Sequence, residues 1–85
     1  MNTQIATISR NSREKIVFSM NKFKGKNYLD MRLYLVGEDG SPEIPTKKGL
    51  TLAVDLYPKF KESLVQIEAA MIEAGWLGRE DLAGE

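Results

Sequence analysis

From Tyr28 to Leu35 the chain alternates strictly, with Leu29, Met31, Leu33 and Leu35 on one parity and Tyr28, Asp30, Arg32 and Tyr34 on the other. Period-two alternation marks a strand that buries one face only. The apolar parity is therefore expected to face a core, and the aromatic and charged parity to face outward. Glu14 to Phe23 reads the same way. Ile16, Phe18 and Met20 take one face, and Lys15, Val17, Ser19, Asn21 and Phe23 take the other. The segment Lys22-Phe23-Lys24-Gly25-Lys26 closes a hairpin between these strands, with Gly25 able to supply a positive φ angle. Upstream, Thr3 to Ser9 reads either as a short edge strand or as a disordered leader, and Arg10 to Arg13 supplies turn chemistry.

Downstream, Gly37-Glu38-Asp39-Gly40-Ser41-Pro42 is a turn by composition. Glu43 to Thr46 continues irregularly or as an edge, because Pro45 lacks the donor a central strand needs. Lys47 to Leu52 predicts a short fourth strand with Leu50 and Leu52 facing the core and Gly49 and Thr51 on the other side, beside the two lysines. From about Val54 the period changes. Leu56, Phe60, Leu64, Ile67, Met71 and Ala74 recur at steps of three and four, a helical stripe. Asp55 is the expected N-cap, Pro58 falls in the first turn, and Gly75 fits the C-terminal stop. Residues 78–85 read as a frayed acidic tail. The order predicts an α+β domain: a four-stranded antiparallel sheet followed by one long C-terminal helix on its apolar face. Residues 1–13 form an N-terminal segment, 14–75 the domain proper and 76–85 an extension.

Eighty-five residues make one small domain, for which association is a common source of added stability. A homodimer is expected, with Met71, Trp76 and Leu77 as candidate contacts. The chain has no cysteine and no histidine, which excludes disulfides and removes the commonest general base and metal ligand. Asp30 beside Arg32 reads as an ion pair, and the Gly37–Gly40 turn lacks the ligand repeat of a calcium loop. Neither an enzyme nor a metal or other cofactor is expected. No signal pattern or membrane-spanning run is evident, so the expected location is cytoplasmic, or nuclear in a eukaryote.

Net charge is zero, yet its distribution is uneven. Residues 1–48 hold nine Lys or Arg against five acids, and residues 49–85 hold three against seven. Lys24, Lys26, Arg32, Lys47 and Lys48 gather around one hairpin and the strand beside it, with Lys15 on the same parity of the preceding strand. Solvated surface lysines would explain some of this. Phe23 at a turn is less easily explained, because a large ring there gains little unless a base or a second subunit covers it. Aromatic faces interleaved with cations suit a single nucleic-acid strand.

Phe-Lys-Gly-Lys at 23–26, Leu-Asp-Met-Arg-Leu-Tyr at 29–34, Lys-Lys-Gly-Leu-Thr-Leu at 47–52 and Phe-Lys-Glu-Ser-Leu at 60–64 occur in that order. Together they resemble the single-strand-binding domain of the transcriptional positive cofactor four family, over roughly residues 14–74. The resemblance implies a curved sheet and helix related to the Whirly fold, a dimer, and binding of single-stranded or melted DNA with little sequence preference. By position, Phe23 would stack on a base, Lys24 and Lys26 would meet phosphates, and Arg32 would lie on the binding face. Lys47, Lys48, Gly49 and Thr51 would line the neighbouring strand, with Tyr34 as a second stacking ring and Lys15 completing the set. Leu35 stands where the eukaryotic member has a stacking aromatic, which implies fewer base contacts here. The eukaryotic Ser- and Lys-rich leader is not matched in these residues. RNA as a ligand, transcription machinery as a partner, and a protein-interaction scaffold of the same fold all remain open.

Overall fold

The computed structural model describes residues 2–38 and 41–82. The chain forms two compact units, Met1–Val54 and Asp55–Glu85. The first is one antiparallel sheet of four strands in sequential order: β1 (Asn2–Ser9), β2 (Glu14–Phe23), β3 (Lys26–Leu35) and β4 (Ile44–Ala53). The second holds a 17-residue helix, α1 (Tyr57–Glu73), preceded by a short 3-10 turn at Val54–Leu56. The predicted strands-then-helix order is the observed one. The Asp39-Gly40 centre of the expected turn lies outside the described residues.

The N-terminal segment is a strand, which resolves the choice between edge strand and leader. Its connection to β2 is built on Asn11. The Asn11 Oδ1 accepts the backbone N–H groups of Arg13 (2.8 Å) and Glu14 (2.9 Å), while its Nδ2 donates to the Glu14 carboxylate. A short polar side chain that mimics a backbone turn is the reason such residues favour these positions. β1 carries a bulge between Gln4 and Ala6. The extra residue, Ile5, breaks the alternation so that Asn2 pairs with Asn21 and Gln4 with Ser19. In straight register Thr3 and Ile5 would take those places.

β2 and β3 join through a two-residue turn. Both central residues, Lys24 (φ 51) and Gly25 (φ 79), lie in the left-handed region. Two positive φ angles match the strand twist, and Phe23 pairs with Lys26 directly behind them. Gly25 was expected to supply this conformation. Lys24 adopts it too, without a glycine's freedom.

β4 is longer than the sequence predicts. It begins at Ile44, not Lys47, and includes Pro45. The proline is tolerated because β4 is an edge strand. Pairing with β3 is interrupted: Arg32 opposes Gly49 and Tyr34 opposes Pro45, so three β4 residues span the gap that Leu33 alone fills on β3. A side-chain network closes this irregular stretch. Arg32 Nε and Nη2 donate to the two Asp30 carboxylate oxygens at 3.1 and 2.9 Å, and Nη1 donates to the Thr46 carbonyl at 3.0 Å. Thr51 Oγ1 donates to Asp30 at 2.7 Å, and Thr46 Oγ1 donates to the Leu33 carbonyl at 2.8 Å. Gly49 makes room for this arrangement, since a Cβ there would lie 2.5 Å from the Met31 carbonyl oxygen.

Burial does not follow the expected parity. The fully enclosed residues, Val17 (0% exposed) and Ser19 (1%), lie on the polar parity, as does the buried Asp30. On the apolar parity only Leu33 is buried, while Ile8, Met20, Ile44 and Leu50 stay more than half exposed. The expectation of a covered apolar face and an open polar face is therefore corrected within this sheet. Val17 sits in the row Thr7–Val17–Arg32–Gly49, and Ser19 in the row Gln4–Ser19–Asp30–Thr51. Both are small residues of the inner strand β2, and their partners on β3 are Arg32 and Asp30, which bond to each other.

In the second unit, the N-cap of α1 is Leu56, with no side-chain cap bond. Asp55 lies in the preceding 3-10 turn, so its expected capping role is corrected. Pro58 falls at the start of the helix as expected. Gly75 (φ 78) ends α1 with its N–H on the Ile72 carbonyl and the Trp76 N–H on the Met71 carbonyl, the paired bonds of a Schellman stop. No residue of α1 is buried. Residues 79–82, expected to fray, form a 3-10 turn in which the Asp81 carboxylate accepts the Gly78 N–H at 2.8 Å.

Two stability outcomes follow from these joints. Gly25→Ala is expected to destabilise by about 1–2 kcal/mol and Lys24→Gly to stabilise, read as opposite shifts of the urea midpoint. Asp30→Ala removes three charge-assisted bonds and is expected to cost about 2–3 kcal/mol. The Arg32 hydrogen bonds hold the Asp30 carboxyl below its ordinary value of 3.8, against the opposing effect of burial, with Thr51 adding to the depression. A depressed folded-state value gives stability that is present above the ordinary value and is lost as the pH falls below it. The acid limb of a urea-midpoint titration should therefore be shallower in Asp30→Ala than in the parent below about pH 4.

Candidate nucleic-acid interface

Pairing places Lys15, Phe23, Lys26, Arg32, Tyr34, Gly49 and Thr51 on one face of the sheet, as parity predicts. Lys24 stands at the tip of the β2–β3 turn, with its Nζ 5.3 Å from the centre of the Phe23 ring. That distance suits attraction between a cation and the ring's negative face. Phe23 is 61% exposed. It projects from the end of β2, where nothing opposite it is larger than Lys26.

The predicted residues divide by how they are bonded. Arg32 is held in a two-pronged pair with Asp30 and by the Thr46 carbonyl, and the Thr51 hydroxyl is engaged by Asp30. Gly49 serves close strand approach. Lys15 pairs with Glu43. These four residues therefore build the face and stiffen it. Lys24, Lys26, Lys47 and Lys48 are exposed and, among the described residues, form no ion pair. Lys47 and Lys48 lie in the irregular stretch between Pro45 and Gly49, where no β3 partner fixes which face they take. Their expected position beside Thr51 is thus not set by the pairing. The Lys48 N–H donates to Thr46 Oγ1 at 3.1 Å, which ties the backbone of this stretch to the network at Arg32.

Beside the hairpin the face holds a shallow concavity of about 440 Å³, lined by Asn2, Asn21, Lys22, Phe23, Tyr28 and Thr51. Two aromatic rings, two amides, a hydroxyl and a lysine border it, and it is open to solvent on one side. Of its lining only Phe23 and Thr51 were singled out from the sequence. Asn21 and Tyr28 shared their parity and were legible as members of the face. Asn2 was not, because it reaches the face through the Ile5 bulge. Tyr34, proposed from sequence as a stacking ring, lies three cross-strand rows away and pairs with Lys15 and Pro45. The structure does not bring it into the concavity.

Among the described residues, no cluster of three or more acidic side chains could hold a metal ion, and no helix is long and apolar enough to cross a membrane.

A family model described as Transcriptional Coactivator p15 (PC4) matches residues 10–63. A Caenorhabditis elegans protein named as a putative RNA polymerase II transcriptional coactivator is 30% identical over 50 residues, which are 59% of this chain and 40% of that protein. The chain thus spans well under half the length of that relative. Among solved structures, a PC4 homolog from Burkholderia pseudomallei has a TM-score of 0.71 at 25% identity, covering 79% of this chain and 89% of its own. A bacteriophage T5 homolog of the eukaryotic coactivator PC4, implicated in recombination-dependent DNA replication, has a TM-score of 0.64 at 18% identity and covers 99% of this chain and 98% of its own. At that identity the likeness to the phage protein is one of fold. The family match runs through β2, the β2–β3 turn, β3, β4 and the first part of α1, the segments that carry the basic and aromatic face. The chain belongs to the transcriptional coactivator p15 (PC4) family.

Proposed function

We propose that this protein is a non-catalytic, dimeric binder of single-stranded DNA that acts in transcription or a related DNA transaction. One observation carries the reading: an aromatic-bordered concavity lies beside a turn whose lysines form no ion pair among the described residues. Flat rings accept bases, and mobile cations accept phosphates without a fixed sequence. Membership of a coactivator family supports the reading, as does the DNA role named for the phage homolog.

The division of cations refines the mechanism. Arg32 and Lys15 are already paired and act by shaping the face. Lys24, Lys26, Lys47 and Lys48 are available for phosphate. Phe23 supplies stacking, with the Lys24 cation over its ring able to move to a phosphate when a base arrives. Four phosphate contacts per protomer correspond to a log–log salt slope of about −2.8 for a single strand, where five cations would give about −3.5.

The dimer rests on exposed apolar surface in each unit. Ile8, Met20, Ile44 and Leu50 are more than half exposed on the apolar parity of the sheet, and α1 keeps Leu64 and Ile67 about half exposed. Apolar surface of this extent calls for a covering partner, and a second copy of the chain is the simplest one. Sedimentation equilibrium should give a dimer mass, and Leu64→Asp should shift it toward monomer.

Binding is tested by fluorescence anisotropy with a labelled single strand and its matching duplex at several salt concentrations. Tight single-strand binding, a weak duplex signal and a slope near −2.8 are expected. Phe23→Ala should weaken single-strand binding by about 1–3 kcal/mol without changing the slope. Equal, weak binding to both forms, insensitive to Phe23→Ala, would instead favour a protein-interaction scaffold of the same fold.

A further inference from the structure

The concavity beside the hairpin contains more than an unselective stacking site requires. Asn2 and Asn21 are directly paired across β1 and β2, and Asn21 is paired in turn with Tyr28 on β3. The row Asn2–Asn21–Tyr28 therefore sets two amides beside one ring, with Phe23 on the hairpin side and Thr51 on the other. Among the described residues neither amide makes a side-chain hydrogen bond within the protein. Each amide offers two donors and a two-lone-pair acceptor. Lys22, also in the lining, suits a phosphate, and the rings would suffice for stacking, so the two amides are the part that neither accounts for. Paired amides beside aromatic rings match the edge and the face of one planar heterocycle.

We infer that this concavity is a nucleobase slot in which Asn2 and Asn21 read the hydrogen-bonding edge of a base held between Phe23 and Tyr28. It gives this protein a base preference within an otherwise sequence-tolerant single-strand interface. The inference rests on the reading of the face as a single-strand binder and adds to it which part of the ligand is read and by what. The placement of Asn2 is a second, independent observation. Only the Ile5 bulge puts Asn2, and not Thr3, opposite Asn21. The bulge thus exchanges a β-branched hydroxyl residue for an amide at the one row where an amide partner is present. An unstacked base in a single strand exposes its edge for such contacts, as a base inside a duplex does not.

The test uses the whole chain and fluorescein-labelled dT, dC and dA homo-oligomers of equal length, titrated by anisotropy. The parent protein should separate the strongest from the weakest of the three by at least about fivefold, the discrimination of one amide–base pair. In the double variant Asn2→Ala/Asn21→Ala this spread should fall to about twofold or less while the salt slope stays at the parent value. Should the double variant fail to fold by circular dichroism, Asn21→Ala alone is read in the same way. Phe23→Ala should weaken all three oligomers and leave part of the spread. Tight binding with a spread that the amide substitutions do not change overturns the slot and leaves the single-strand reading intact. Failure of the parent to bind any of the three overturns both.

Discussion

The two-pronged bond between Arg32 and Asp30 is the interaction on which the polar face of the sheet depends. It joins alternate residues of one strand, which share a face, and then reaches across to β4 through the Thr46 carbonyl and the Thr51 hydroxyl. This is the place where the β3–β4 ladder loses its register. A guanidinium with a rigid fork of donors can bridge an irregular gap that backbone pairing leaves open. Gly49 is the counterpart, since any side chain there would collide with the strand that carries Arg32. Asp30 is buried and fully satisfied, so the network also sets the central residues of the polar face in place.

This arrangement separates two tasks that charged residues can perform on one surface. Paired charges hold the face in shape, and charges with no ion pair among the described residues are the ones the proposed binding mode uses. Arg32 and Lys15 belong to the first group, and the lysines of the β2–β3 turn and of the irregular β4 stretch to the second. The turn itself is held by two left-handed residues, one of them the non-glycine Lys24. Strain at that position fixes a lysine at the tip, beside the ring of Phe23.

Much of this was legible in the residues. The alternation through Glu14–Phe23 and Tyr28–Leu35 marked both central strands and their faces, and Gly25 marked the turn between them. The ordered motifs at 23–26, 29–34, 47–52 and 60–64 resembled the family to which the chain belongs. Other features were hidden for physical reasons. Pro45 reads as a strand breaker, but an edge strand has no donor to lose on its solvent side, so β4 begins earlier than predicted. Asp55 has the chemistry of a cap, yet the 3-10 turn moves the cap to Leu56. The burial of Val17 and Ser19 could not be read from polarity: they lie on the polar parity of the inner strand β2, opposite Arg32 and Asp30. The Ile5 bulge left no signal in composition, and with it the position of Asn2 was lost. The Arg32 pairing with Asp30 was legible, but the Arg32 bond to the Thr46 carbonyl, 14 positions away, and the Thr51 bond to Asp30, 21 positions away, are not revealed by spacing alone.

The central claim is that the polar parity of the sheet, around the β2–β3 turn, is the surface that meets a single strand. The most direct measurement is a backbone amide chemical-shift titration of the isotope-labelled protein with a short single-stranded oligonucleotide. The account predicts saturable shifts concentrated at Asn21 to Tyr28 and at Lys47 to Thr51, with the α1 amides unmoved. Shifts centred on α1, or none at any residue of the β2–β3 turn, would contradict it.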